Sequence, residues 1–131
     1  MVKLDKKALD LLKGKNFGFI ATINPDGSPQ VTPVWVDTDG EKILVNTALG
    51  RVKEKNISRD PRVAIAVAEA GNPYSFLSFD GRVERAVTGK SADDHIDSLS
   101  FKYTGNRKYR GRNPAEKRVK LIVEPTHVRV W

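Results

Sequence analysis

The sequence predicts an all-β fold with inserted helices, in which about six or seven antiparallel strands curl into a small barrel. Three observations carry it. Short apolar runs alternate with turn signals rich in Asn, Asp, Pro and Gly. Helical patterns interrupt the strands after the third and after the fifth. A set of antiparallel strands this size removes its exposed edges by closing. The 131 residues make one domain, 1–131, long enough to bury about two thirds of its unfolded surface in a single core. No internal repeat or linker is visible in it.

Leu4, Ala8, Leu11 and Leu12 recur on one face of a short amphipathic helix ending at Gly14, expected to lie across the mouth or side of the barrel. Phe17 to Ile23 reads as a strand, Asn24-Pro25-Asp26-Gly27 as a turn and Gln30 to Val36 as the returning strand of a hairpin. Asp37-Thr38-Asp39-Gly40 turns the chain into a third strand, Lys42 to Asn46. A helix spans Arg51 to Arg59 and is stopped by Asp60-Pro61. Arg62 to Ala68, an almost unbroken apolar run, reads as a strand buried on both faces. Asn72-Pro73 punctuates, and Tyr74 to Val87 is one long strand bent at Asp80-Gly81. Ser91 is placed to cap a helix whose first turn holds Asp93 and Asp94 and whose apolar stripe is Ile96, Leu99 and Tyr103. Lys102 to Arg118 is polar and basic. Val119 to Val123 and His127 to Trp131 read as two short strands divided by Glu124-Pro125-Thr126.

Composition excludes several kinds of chemistry. With no cysteine, disulfides, thiolate nucleophiles and Cys-ligated metals are out, which suits a reducing compartment. The only two histidines, His95 and His127, fall on different elements, so no metal centre is expected. No Gly-x-Ser-x-Gly elbow, dinucleotide fingerprint or Walker loop is present. The lysine-punctuated N-terminal stretch lacks a secretory apolar core, and no run reaches the roughly 18 apolar residues of a membrane span. A cytoplasmic location is expected. The net charge of +7 and pI near 9.8 call for an anionic partner. Single-stranded nucleic acid is the partner from a different class, but Phe17, Phe19, Phe76 and Phe79 sit in apolar strands rather than among the cations.

The anion has an evident place. In Asn46 to Val63, NTALGRVKEKNISRDPRV, a strand runs into a helix through Gly50, which frees the backbone just before Arg51 and Lys53. Free N–H groups and the positive dipole at a helix start favour an anion, and the two cations add charge-assisted hydrogen bonds. Asn46 and Thr47 are candidate caps of the turn. Arg51 and Lys53 lie on different sides of a regular helix, so they converge on one anion only if Arg51 is still in the loop.

Three blocks carry a resemblance over nearly the whole chain. The first is Gly18-Phe19-Ile20-Ala21-Thr22 with Asp26-Gly27-Ser28-Pro29-Gln30 and Val31-Thr32-Pro33-Val34-Trp35. The second, the most specific, is Gly50-Arg51-Val52-Lys53-Glu54-Lys55-Asn56-Ile57 running into Arg59-Asp60-Pro61-Arg62-Val63. The third is Gly81-Arg82-Val83 with the following helix and closing strand. On these, the chain resembles the flavin and deazaflavin reductases of the FMN-binding split β-barrel fold, the pyridoxamine 5'-phosphate oxidase superfamily, and most closely its coenzyme F420 branch.

The resemblance implies a phosphate grip at Arg51 and Lys53 with Asn56 as polar neighbour. It implies that Gln30, Val31, Thr32, Pro33 and Val34 run beside the ring, and that Asn46 and Thr47 line the same groove. It implies hydride transfer from reduced F420 to an unsaturated or quinone-like small-molecule acceptor, with FMN as the alternative cofactor, in a homodimer whose cofactor sites lie at the shared seam. No catalytic side chain is required, because the cofactor carries the reaction. Tyr74, Tyr103, Tyr109 and water are candidate proton sources. F420 extends past its phosphate into an oligoglutamate tail, for which Lys13, Lys15, Lys55, Arg59 and the run Lys102 to Arg118 are candidate contacts. Trp35 is expected in the barrel wall or an interface, and Trp131 at the dimer interface or beside the groove.

Overall fold

In the computed structural model, which describes residues 2–131, seven strands form one antiparallel sheet in the order β2-β1-β5-β6-β7-β4-β3. The strands are β1 (Gly18–Ile23), β2 (Pro29–Val34), β3 (Val36–Thr38), β4 (Ile43–Ala48), β5 (Arg62–Glu69), β6 (Asn72–Val87) and β7 (Arg118–Val130). The helices are α1 (Lys6–Lys13), α2 (Val52–Arg59) and α3 (Lys90–Thr104). The sheet curls on itself, so that its two edge strands, β2 and β3, are consecutive pieces of chain joined at Trp35. The expected strand from Gln30 to Val36 is therefore broken at Trp35, where the chain passes from one sheet edge to the other. Pro29 and Pro33, which have no N–H to donate, fit an edge strand.

Alternation along the strands sends Ile20, Val36, Ile43, Val45, Ile65, Val67, Leu77, Phe79, Leu121 and Val123 to the inside, where they form one core with Leu4, Leu11 and Leu12 of the N-terminal segment. Asp5 caps α1 by accepting from the Ala8 N–H at 2.8 Å, and the helix packs against β3, β5 and β6. β5 differs from the both-faces-buried expectation. Val63, Ile65 and Val67 point inward, while Ala64 and Ala66 are exposed, because a methyl side chain is too small to demand a cover. Two register shifts bend the longest pair, one between Asp80 and Gly81 and one between Val83 and Arg85. The first lies opposite Pro125, so β7 runs unbroken through Glu124-Pro125-Thr126, where two strands were expected: the bulge accommodates the proline.

The remaining differences are local. β4 continues to Ala48, which makes Asn46 and Thr47 strand residues rather than caps. α3 starts at Lys90 with Gly89 (φ 81°) as its N-cap and no side-chain bond there, so Ser91 is not the cap. The tight exit from β6 needs a positive φ that glycine supplies. α3 covers the outer face of β4 and β7 and gathers a second apolar cluster of Ile96, Leu99 and Tyr103 with Trp35 and Tyr109. Among the described residues, the outer face of β2, β1, β5 and β6 carries no such cover.

Candidate functional site

A cleft of about 260 Å³ opens between α3, the Trp35 corner and the start of α2. Its cationic side is Arg51, Lys53 and Arg118, with Asn46. Its apolar side is Phe17, Pro33, Val34, Trp35, Ile96, Leu99 and Tyr109. Arg51 is the N-cap residue of α2, extended (φ −70°, ψ 155°) and outside the helix, which meets the condition for it to act with Lys53. Gly50 (φ 88°) makes the turn, and Glu54, in the third helical position, accepts from its N–H at 3.0 Å.

Burial pushes the Lys53 ammonium below its ordinary pKa, and the charges of Arg51 and Arg118 push it the same way. An anion among these groups would relieve both the desolvation and the like-charge repulsion, so the donor set fits a phosphate. The apolar side fits a flat ring. Trp35 stacks on Tyr103 with centroids 5.4 Å apart and meets Tyr109 edge-on at 6.0 Å.

Arg118 is only 6% exposed. Its Nε donates to Asn46 Oδ1 at 2.9 Å, and its Nη1 to Glu116 Oε1 at 3.0 Å. Asn46 Nδ2 donates to Ala92 O at 3.0 Å and lies 3.1 Å from His95 Nδ1. With both amide hydrogens directed this way, His95 Nδ1 accepts and its proton sits on Nε2, which is buried without a partner among the described residues. Burial first, then Lys120, Arg118 and Lys102, bring the His95 pKa down to about 4. His95 is thus a neutral hydrogen-bond acceptor that orients Asn46 and, through it, Arg118.

Tyr109 reaches the cleft because its loop is tied to α3 by Asp97, which accepts from the Tyr109 N–H at 2.8 Å and from Arg112 Nη2 at 2.7 Å. Those bonds hold the carboxyl low against the desolvation that would raise it. Tyr103 is otherwise employed: its hydroxyl donates to Asn16 O at 2.6 Å and accepts from the Val36 N–H at 3.2 Å. Burial raises its pKa. Tyr74 is 87% exposed and does not line the cleft.

Of the residues expected at the site, Arg51, Lys53, Asn46, Pro33 and Val34 line the cleft. Gln30, Val31, Thr32, Thr47 and Asn56 do not. Along β2 the distance from the Trp35 corner separates them, since Pro33 and Val34 end the strand and point to opposite faces. Gln30 and Thr32 sit opposite Thr22 and Ile20 on the inward side, while Val31 faces outward, 59% exposed. Thr47 points into the core with its hydroxyl unpartnered among the described residues. Asn56 is buried and donates to Thr22 Oγ1 and Asn24 Oδ1, both at 3.0 Å, locking α2 to the first hairpin. Trp35, expected in the wall or an interface, is part of the cleft. Trp131 stacks on Phe76 at 4.7 Å on the outer side of the sheet.

Phe17, Ile96 and Leu99 complete the cleft without having been singled out in the sequence as cofactor contacts, and Tyr109, a candidate proton source, and Arg118, in the run of candidate tail contacts, line it as well. The stripe at 96, 99 and 103 read as core, and only the basic run marked Arg118.

An antiparallel sheet curled around one core, with a cationic cleft beside an aromatic corner where its edges meet, defines a split-barrel protein. The sequence profile of pyridoxamine 5'-phosphate oxidase matches residues 4–131. The chain belongs to that family. Among solved structures it is similar to an F420 reductase, with 33% identity, a TM-score of 0.79, and 92% of this chain and 94% of that one covered. It is also similar to the conserved hypothetical protein Rv2991 of Mycobacterium tuberculosis, with 28% identity, a TM-score of 0.78, and 100% and 86% covered. HupZ of Group A Streptococcus shares the fold at 17% identity and a TM-score of 0.68, with 98% and 92% covered.

Proposed function

We propose that the protein is a coenzyme F420-dependent oxidoreductase that passes a hydride from the reduced deazaflavin to an unsaturated or quinone-like small molecule. The observation that carries this is the pairing, in one cleft, of Arg51, Lys53 and Arg118 with the ring-sized apolar wall of Phe17, Pro33 and Trp35. Family membership and the likeness to an F420 reductase support it. When bound, the reduced coenzyme supplies the hydride; the protein supplies position and electrostatics.

Arg51, Lys53 and Arg118 hold the phosphate, Asn46 keeps Arg118 aimed, and Trp35, Pro33 and Phe17 flank the ring and exclude water from it. Of the three tyrosines, Tyr109 is the one that lines the cleft, which makes its hydroxyl the side-chain source for the proton that follows the hydride. Arg107, Lys108 and Arg110 beside it are the nearest candidates in sequence for an oligoglutamate tail. A cytoplasmic location goes with this chemistry.

The cleft is smaller than the roughly 300–1,000 Å³ of ordinary ligand sites, which supports a homodimer in which a second copy completes it. Phe17 and Pro33, at the cleft lip, continue onto the uncovered outer face of the sheet.

Fluorescence titration with F420 and with FMN, side by side, tests the assignment. Saturable F420 binding is expected, weakened by about 1.5 to 3 kcal/mol in Arg51→Ala and in Lys53→Ala, the worth of a charged hydrogen bond. Tighter binding of FMN than of F420 makes the protein a flavin enzyme of the same fold. No binding of either coenzyme removes the redox role.

A further inference from the structure

Glu116 offers Oε2 to Arg51 Nη2 at 2.8 Å and Oε1 to Arg118 Nη1 at 3.0 Å, so a single carboxylate spans two of the three cations of the cleft. It does so from behind. Glu116 lines a separate hollow with Gly89, Asp93, Pro114, Ala115 and Lys117, and only Arg118 is common to that hollow and the cleft. On the cleft side Arg51 and Lys53 remain accessible to a ligand, and Arg118, though 6% exposed, still lines the cleft wall. The bonds from the arginines hold the Glu116 carboxyl below its ordinary pKa, so its negative charge is present throughout the neutral range.

A fixed negative charge beside an anion site repels each ligand in proportion to the charge that the ligand's phosphate places at that site. The two coenzymes of the rival readings differ in that property. FMN ends in a phosphomonoester, which approaches two negative charges above its second pKa near 6. The phosphate of F420 is esterified on both sides and carries one.

We propose that Glu116 is a charge filter, a specificity-determining residue that sets the cleft against a phosphomonoester dianion and in favour of a phosphodiester monoanion. The filter rests on the reading that this cleft takes the coenzyme phosphate. It acts on ligand choice through Arg51 and Arg118, which Glu116 partly neutralises without occupying their ligand side.

Three probes of increasing phosphate charge test it by titration: riboflavin, F420 and FMN. In Glu116→Gln, which keeps the size and an acceptor oxygen, riboflavin affinity is expected to stay unchanged. F420 is expected to bind about 3-fold tighter and FMN about 10-fold tighter, since the logarithmic gain doubles with the charge. Glu116→Ala is expected to give the same order. Equal factors for F420 and FMN overturn the filter, as does a shift for riboflavin, which would mean that the loop has moved.

The unaltered protein gives an independent reading. Its FMN-to-riboflavin affinity ratio is expected to rise less than about 3-fold between pH 5 and 7.5, as the phosphate gains its second charge; a rise of 10-fold or more overturns the filter. If none of the three probes saturates the unaltered protein, the coenzyme reading falls and the filter with it. If F420 binds and the ratios do not move in the variants, the filter alone falls.

Discussion

At the scale of single residues, His95 shows how a side chain outside the cleft governs one inside it. Its neutral Nδ1 accepts from Asn46, whose carbonyl oxygen in turn receives Arg118 Nε. A proton on Nδ1 would set two donors face to face and undo that aim. The imidazole is 8% exposed and faces Lys120 and Arg118 from β7 and Lys102 from its own helix, which with burial bring its pKa from 6.5 down to about 4. A base with a depressed native pKa stabilises the fold fully above its unfolded pKa. That stability is lost as pH falls from about 6.5 to about 4, because the unfolded chain takes up the proton first. The loss amounts to about 3 kcal/mol. Urea unfolding at pH 7 and pH 4.5 is expected to show most of it, and His95→Gln, which offers an amide oxygen in place of Nδ1, is expected to flatten the slope across that window. An equally steep slope in the variant would move the pH dependence to other groups. Arg51 and Lys53 were legible in the sequence because a glycine beside clustered cations at a strand–helix junction has a local physical meaning. That Arg118 and Tyr109, read as a candidate tail contact and a candidate proton source, both face this cleft was not, because the start of a strand and a loop tied down by Asp97 bring them there, contacts that no periodicity announces.

Whole elements were legible wherever turn signals bounded them, which covers α1, the first hairpin, α2 and the long β6. The two misread strand boundaries share one cause. Trp35 and Pro125 were judged from their own neighbourhood, whereas a sheet decides by the strand opposite. Pro125 ends nothing because Gly81 faces it across a bulge. In the same way Arg62 to Ala68 looked wholly apolar, yet its alternation of Val or Ile with Ala is the period of a strand covered on one side. The Gly81 pairing has a measurable consequence. A Cβ placed there would stand 2.8 Å from Val123 Cγ1 and 2.9 Å from Glu124 O, and the second of these is backbone that cannot rotate away. Gly81→Ala is therefore expected to lower stability by about 1 to 3 kcal/mol, by forcing β6 and β7 apart at their bend. A glycine that serves only as a loose turn, such as Gly27, has nothing within 4 Å of the same added atom, and its cost would be confined to its positive φ. Thermal melts of the Gly81 variant that match the unaltered protein would show that the bulge absorbs the methyl group freely.

The molecule as a whole has one outer face covered by α3 and one left bare. Register puts Pro33, Phe19, Ala66 and Ser78 in one row across β2, β1, β5 and β6, and Val31, Ala21, Ala64 and Asp80 in the next. Phe19 is 49% exposed and Val31 59%, and three of the four strands contribute only apolar residues to these rows. An apolar patch of this kind suits the proposed two-fold contact, and alanines at its centre would let another sheet face approach closely. Pro33 belongs both to this face and to the cleft, so the proposed two-fold assembly would build the cofactor site and bury the patch at once. Ala66→Glu separates those effects from folding, because position 66 is exposed and the change leaves the inner face untouched. The unaltered protein is expected to sediment at about twice its 14.6 kDa chain mass. Ala66→Glu is expected to sediment as a single chain, with its thermal midpoint close to that of the unaltered protein and F420 affinity reduced about 10-fold or more through loss of the second copy's share of the site. If the unaltered protein sediments as a single chain at concentrations where it binds F420 fully, the site is complete within one subunit and the bare face serves some other contact.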